Sequence, residues 1–555
     1  MAHVTNSPIF QLCDDYINRW AVLDPVAATA EGITGAYAPA TDFSPDGHES
    51  RADLIRETLH ALAGLDARDE NDRRAADHLR ERLEVTLALH DNGEPFREVA
   101  APFGMINFLR DSVDLLPRSN DDEWRDVAAR LAAIPGMLSG WRTSLTLGMQ
   151  RRVVAARRQA LELSDQAVRY GTAGTHAALI GAYGDGPVAR DLAAGVAAAH
   201  EAYLETGRWL RGEYAPNATE RDAAGEERYA LGARYNLGDD VDLRDAYAWG
   251  WEELRRIERE MEAEADRIKP GATVSEAIAL LEDTEFLTSS EAYLAWLRDR
   301  HDEALERLHG VHFDIAEPLR QVEVVLVPGE AGAPYYTPPS EDLLRPGRTW
   351  WPAGQRERYA TWSELTTVAH EGVPGHHLQL GATKVAGDSL SRFGKVSWVS
   401  GHGEGWALYA ERLADELGWF EERGTRLGML CGSALRAARV VIDIGVHLGL
   451  PLPPEEAERH GPAWTFEVAK DVLYNRGRCE PHNVHPETVR YFGWPGQAIS
   501  YKLGERAWLA ARAEAAARPG FDLKQWHSQA LALGPVGLSS LTAALRRITP
   551  NGHSA

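Results

Sequence analysis

The sequence predicts a mainly α protein carrying one small β element. Three observations lead there. Apolar residues recur at three- and four-residue spacing through most of 49–265. A single β-branched run, V-E-V-V-L-V at 322–327, is followed by a proline-rich stretch. After Ala360 the helical pattern returns and persists to L-S-S-L-T-A-A-L-R-R-I near the end.

In chain order, residues 8–32 read as a helix and its exit. The Gly-, Pro-, Asp- and Ser-rich segment 33–50 reads as a surface loop. R-A-D-L-I-R-E-T-L-H-A-L-A-G-L and A-A-R-L-A-A-I-P-G-M-L-S-G-W carry the helical spacing, with breaks expected at 93–95, 217–222 and 269–271. The run at 322–327 should end at Pro328-Gly329 as a strand. A-P-Y-Y-T-P-P-S (333–340) is too proline-rich for a helix interior, so Tyr335 and Tyr336 are expected on an extended segment of a small sheet. Thr361-Trp-Ser-Glu364 has the pattern of a capping box and predicts a helix start. No fixed-period repeat is present.

The chain has 555 residues, enough for several average domains or one large bilobed unit. Its net charge of −24 argues against nucleic acid or an anionic membrane as the main partner. The three cysteines, Cys13, Cys431 and Cys479, form no C-x-x-C pair, so neither a disulfide framework nor a thiolate metal site is expected. The first residues lack the basic start and apolar core of a signal peptide. No apolar run approaches the ~18–20 residues of a membrane span. A cytoplasmic protein is the expectation.

The chemistry concentrates in T-V-A-H-E-G-V-P-G-H-H-L-Q-L (367–380). It begins like H-E-x-x-H, in which two histidines at i and i+4 on one helix face bind Zn²⁺ while the glutamate takes a proton from the attacking water. Here the i+4 position is Pro374. Proline lacks the N–H and clashes with the carbonyl of residue 370, and Gly375 loosens the chain further. In a straight helix His376 would lie roughly 120° off the face of His370, and His377 about 10 Å along the axis. A metal site therefore requires a kink or bulge at Pro374-Gly375. With two residues inserted into the motif, His376 becomes the second ligand and His377 its competitor.

Downstream, S-G-H-G-E-G-W-A-L-Y-A-E places Glu404 and Glu411 at i, i+7 on one face of a helix. Glu404 lies 28 positions after His376 and sits among Trp406, Ala407 and Leu408. A carboxylate there is costly to bury unless it is paired or metal-bound. Glu404 is the candidate third ligand. Glu411 is a candidate to orient a ligand histidine, with a solvated surface residue as the alternative.

H-E-G-V-P-G-H-H-L-Q (370–379), G-E-G-W-A-L-Y-A-E (403–411), R-V-V-I-D-I-G-V-H (439–447) and R-Y-F-G-W-P-G-Q-A-I-S-Y-K-L-G (490–504), taken together, resemble the bacterial domain-of-unknown-function 885 family. That family is grouped with glutamate-type zinc metallopeptidases. The resemblance covers most of the chain as a single unit, with approximate lobes at 1–265 and 266–555, the second carrying the zinc motif. It implies a bilobed helical fold similar to neurolysin and carboxypeptidase Taq, with the small sheet beside a deep cleft. It favours His376 over His377.

The resemblance implies a zinc-dependent hydrolase of short peptides. His370, His376 and Glu404 would hold Zn²⁺, Glu371 would be the general base, and Tyr501 the oxyanion donor. Arg490 and Tyr491 are further candidates to grip a substrate carboxylate. Tyr335 and Tyr336 are candidates to line the cleft, where an extended edge would pair with a peptide. Lys502 reads as a surface residue, His482 and His485 as surface loop histidines, and Asp443 with His447 as a core pair at i, i+4. The expected partner is a peptide or small amide, with no nucleic acid and no membrane. The alternatives are a metal-dependent amidase acting on a non-peptide and a catalytically inactive peptide-binding scaffold.

Overall fold

A computed structural model describes residues 7–548 apart from 34, 36, 38, 39, 328–332 and 355. The chain is mainly helical, with two small sheets. The first expected helix is in fact two. α1 (Pro8–Leu23) is capped by the Ser7 hydroxyl, which accepts from the Ile9 and Phe10 amides. It stops because Pro25 cannot continue it, and a short second helix, α2 (Pro25–Ala30), follows. The loop expected over 33–50 is shorter, since a helix already begins at Pro45. The breaks expected at 93–95, 217–222 and 269–271 all fall between α-helices, the first two overlapping single 3-10 turns at Glu94–Phe96 and Ala215–Asn217.

The long helices of the first half pack on one another, chiefly α3 (Asp121–Arg151) against α4 (Ala189–Trp209), which run parallel: Gly195 faces Ala128 and Leu131, and Arg142 pairs with Glu205 at 2.8 Å. α5 (Leu243–Ile268) spans the expected lobe boundary at 265/266 and packs along α8 (Thr425–Leu448), so the two lobes share a core. Buried apolar residues from Val26 to Leu545 form one connected cluster. Two smaller clusters surround α1 and the sheet.

The strands come next. β1 (Phe286–Leu287) pairs antiparallel with β5 (Tyr359–Ala360). β2 (Glu323–Val327), β3 (Tyr335–Thr337) and β4 (Arg348–Pro352) form a sheet in the order β2-β4-β3, parallel between β2 and β4 and antiparallel between β4 and β3. The expected strand and the extended tyrosine segment are thus present. The expected strand end at Pro328-Gly329 lies outside the described residues.

The helices that build the site follow: α6 (Thr361–Glu371), α7 (His376–Val385), α8 (Thr425–Leu448), and, between the last two in sequence, αG (Ser400–Glu416). α9 (Pro481–Gly493) and α10 (Ser500–Ala516) complete it. The capping box expected at 361–364 does not form. The chain enters α6 directly from the β1–β5 pairing, so the N-cap is Ala360 and the Thr361 amide donates to Glu285 O at 3.0 Å. Glu364 instead lies 3.8 Å from Arg356. αG packs closely on α10: a Cβ on Gly405 would come within 2.4 Å of the Gly504 backbone. Only glycines allow that approach, and it carries Glu404 and Tyr501 towards the same space. α6 is covered by αG and α8.

Candidate metal centre

The helix that opens with Thr361 ends at Glu371, one residue before Gly372. Pro374 and Gly375 form the turn, and a separate helix starts at His376. The interruption is therefore a full break between two helices rather than a bulge within one. Gly375 is required there, because a Cβ would lie 1.9 Å from the His370 carbonyl oxygen. The turn is pinned from αG, where the Trp406 indole N–H donates to Pro374 O at 2.8 Å.

This break resolves the choice between the histidines. His377 faces the sheet: its Nε2–H donates to Leu319 O at 2.8 Å, and its Nδ1 accepts from the Tyr336 hydroxyl at 3.0 Å. Both ring nitrogens are committed. His376 turns the other way. Its Nε2 lies 3.5 Å from Glu404 Oε2, and His370 Nε2 lies 3.5 Å from the same oxygen. Donor atoms of His370, His376 and Glu404 all fall within 4.8 Å of one another.

The donor set fits a zinc ion. Ligand bonds near 2.1 Å in a tetrahedron put donor atoms about 3.4 Å apart, and two of the separations here are 3.5 Å. Glu404 Oε2 is buried and has no hydrogen-bond partner. Two imidazoles and a carboxylate are ordinary zinc donors. Glu411 orders the set from behind, as Oε1 accepts from His370 Nδ1–H at 2.7 Å and Oε2 accepts from the Thr366 hydroxyl at 2.6 Å. That bond leaves the His370 Nε2 lone pair facing Glu404.

The electrostatics follow from three buried carboxylates around two imidazoles. Burial opposes a charge on His370, but the Glu404 carboxylate beside it and the hydrogen bond to Glu411 outweigh that and push the pKa up to about 9. Burial likewise opposes ionisation of Glu404, yet the His370 and His376 rings beside it hold it well below the usual carboxylate range. Glu371, 6% exposed, is shifted upward by burial, against the pull of His370 and His376. A buried carboxylate with a raised pKa beside a ligand cluster is suited to taking and returning a proton.

Tyr501 stands at the start of α10, where burial and the Glu404 charge raise its pKa. The Arg439 guanidinium lies 4.5 Å from the centre of its ring. Arg490 and Tyr491 are close by but already engaged. Arg490 donates to Glu487 at 3.1 and 2.9 Å and to Gln497 at 2.7 Å, and the Tyr491 hydroxyl donates to Glu487 at 2.5 Å. Arg439 joins them, donating from Nε to the Tyr491 hydroxyl and from Nη2 to Glu487, each at 2.8 Å.

Tyr335 is 48% exposed on the edge strand β3 and stacks on Trp350 with ring centres 5.8 Å apart. Tyr336 holds His377 and is a step removed from the ligands. Lys502 is not a surface residue. It is 1% exposed and ion-paired to Glu253 at 2.8 Å and to Glu505, a burial that no local pattern in P-G-Q-A-I-S-Y-K announces. Asp443 and His447 lie 3.5 Å apart and are structural, with partners in Tyr229, Gly496, Ala224 and Tyr491. His482 and His485 are exposed as expected, but on α9 rather than a loop.

Sequence reasoning missed Arg436, Arg439, Glu487 and Trp398. The Trp398 ring meets His376 edge-on, with centres 5.9 Å apart. Arg436 and Arg439 stand one turn apart on α8 among Leu435, Ala437, Ala438 and Val440, and charges among apolar neighbours are the signal that could have found them.

The overall fold recurs in two solved structures. The crystal structure of "the putative lipoprotein from Colwellia psychrerythraea" matches with a TM-score of 0.82 at 21% identity, over 97% of this chain and 99% of that one. The structure of "a putative lipoprotein of unknown function from Shewanella oneidensis" matches with a TM-score of 0.72 at 16% identity, over 97% of this chain and 100% of that one. At those identities the likeness is one of fold. No curated protein matches the sequence. A family model described as "Bacterial protein of unknown function (DUF885)" matches residues 25–545, and the chain belongs to that family.

Proposed function

We propose that the protein is a zinc-dependent hydrolase that cleaves peptide bonds, chiefly in short peptides. The observation that carries this reading is the convergence of His370, His376 and Glu404 beside a buried Glu371. A zinc ion held by the three would supply a Lewis acid that polarises an amide carbonyl and acidifies water. Glu371 takes the proton of the attacking water and delivers it to the leaving nitrogen, so that one water is consumed as the C–N bond breaks. The Tyr501 hydroxyl donates to the developing oxyanion. Glu411 keeps His370 in the tautomer whose Nε2 faces the site.

The reading also takes the fold as a bilobed peptidase of the neurolysin and carboxypeptidase Taq kind. The burial of the ligands suits short, unfolded substrates. β3, the edge strand that bears Tyr335, could pair with an extended peptide. The strongly acidic chain argues for a cytoplasmic enzyme without a nucleic-acid partner. Among the described residues no helix is long and apolar enough to cross a membrane.

The test starts from protein purified without added metal. Elemental analysis should find about one zinc per chain, and a chelator should lower Tm and stop cleavage of a short-peptide library read by product mass. A metal-free chain whose Tm does not respond to zinc would sink the reading. Cleavage confined to non-peptide amides would replace the substrate and keep the chemistry.

A further inference from the structure

Beside the metal centre lies a cluster of arginines with too few acids. Arg439 and Arg490 share Glu487 where α8 meets α9, and Arg436 stands one turn before Arg439 on α8. Among the described residues, Glu487 is the one carboxylate in ion-pair contact with any of them, at 2.8 Å from Arg439 and 2.9 Å from Arg490. Arg436 is half-buried; among the described residues it makes no ion pair, and its Nε is buried without a partner. A part-buried guanidinium without a carboxylate partner is available to an incoming anion.

The cluster adjoins the reacting groups. A Cβ on Gly432 would lie 2.7 Å from Arg436 Nη1 and 3.9 Å from Glu411 Oε2, so Arg436 and the carboxylate behind His370 approach one point without bonding. The Arg436 charge also acts on Glu371. Arg439 uses Nε and Nη2 internally and spreads over the Tyr501 ring. With a divalent cation in place, the metal and the three arginines outweigh Glu371, Glu404, Glu411 and Glu487 by one positive charge. One substrate carboxylate would cancel it. Guanidinium forks match a carboxylate in both charge and shape.

We propose that Arg436 and Arg439 bind the free α-carboxylate at the C-terminal end of the substrate, which makes the enzyme an exopeptidase working from the carboxyl end. Glu487 is a positioning residue that holds Arg439 and Arg490 in register. The inference rests on the hydrolase reading above and names its substrate class.

The test uses two probes that differ only at the chain end: N-acetyl-trialanine as the free acid and as the C-terminal amide. Wild-type protein with zinc should favour the acid by about 30-fold or more in kcat/KM, the scale of a buried charge pair. Arg436→Gln should erase most of that preference, the acid losing far more in kcat/KM than the amide and chiefly through KM, and Arg436→Lys should restore part of it. A wild-type preference within about threefold, or an Arg436→Gln loss shared equally by both probes, overturns the proposal and leaves the peptidase reading standing. If neither probe is cleaved, calorimetric binding to zinc-loaded Glu371→Gln protein decides. Tighter binding of the acid supports the carboxylate site even as the peptidase reading fails, and equal binding of acid and amide overturns it.

Discussion

Two buried sets of histidine and carboxylate lie in the same half of the molecule, and they differ in how their lone pairs are used. In the Asp443–His447 set every ring nitrogen is spent. The Ala224 amide donates to His447 Nδ1 at 3.0 Å, and His447 Nε2–H donates to Tyr491 O at 2.9 Å. Asp443 Oδ2 accepts from the Tyr229 hydroxyl and the Gly496 amide. In the His370–His376–Glu404 set, two ring nitrogens and one oxygen point at each other, and Glu404 Oε2 has no donor. Residue types and burial are nearly the same in both. Each set leaves one carboxylate oxygen without a hydrogen-bond partner, Asp443 Oδ1 and Glu404 Oε2, so what marks the ligand site is two ring nitrogens turned onto one oxygen instead of being spent on the backbone.

The comparison can be broken at several points. Glu371→Gln should lower kcat by about 10²–10⁴-fold while zinc content and Tm hold. Hydrolysis at the wild-type rate would remove Glu371 from the proton path. Glu404→Ala or His376→Ala should abolish stoichiometric zinc by elemental analysis, whereas His377→Ala should keep it. Zinc lost with His377 and kept without His376 would reverse the choice of ligand. Glu411→Gln should weaken zinc by about 10–100-fold in a chelator competition, since it orients His370 without touching the ion.

The structural set should answer differently. His447→Ala leaves the Ala224 amide and Tyr491 carbonyl unpaired and should cost about 1–3 kcal/mol in denaturant unfolding, with zinc content unchanged. The smallest effect concerns pH. Burial pushes Asp443 up to about 8 from an ordinary 3.8, against hydrogen bonds from Tyr229 and Gly496. The folded protein therefore keeps a proton that the unfolded chain releases, so this contribution is full below about pH 4 and declines as pH rises towards 8. Asp443→Asn, which cannot ionise, should gain Tm relative to wild type between pH 6 and 8. A Tm difference that stays flat with pH would mean that Asp443 is not protonated in the fold.

Much of this was legible in the chain and some was not, for physical reasons. Helical spacing identified the long helices, and V-E-V-V-L-V identified β2. The strands β1 and β5 are two residues each, and β4 reads R-T-W-W-P, so none carries enough period to be seen alone. The capping pattern at 361–364 was misleading because a strand pairing satisfied the Thr361 amide first. Lys502 was misjudged because its partners Glu253 and Glu505 meet it only when α5 and α10 come together.

By itself the sequence determined the mainly helical class, the interruption at Pro374-Gly375, and the candidacy of His370, Glu371 and Glu404. Each follows from local chemistry: a period, a missing N–H, or a charge among apolar neighbours. The sequence already favoured His376 over His377 and offered Glu411 to orient a ligand histidine; only the tertiary structure showed His377 spent on Leu319 O and Tyr336, set Glu411 against His370 Nδ1, and left Arg436 without a carboxylate partner among the described residues. Those outcomes depend on how separate helices orient their side chains after the chain breaks direction, and spacing along one helix says nothing about that.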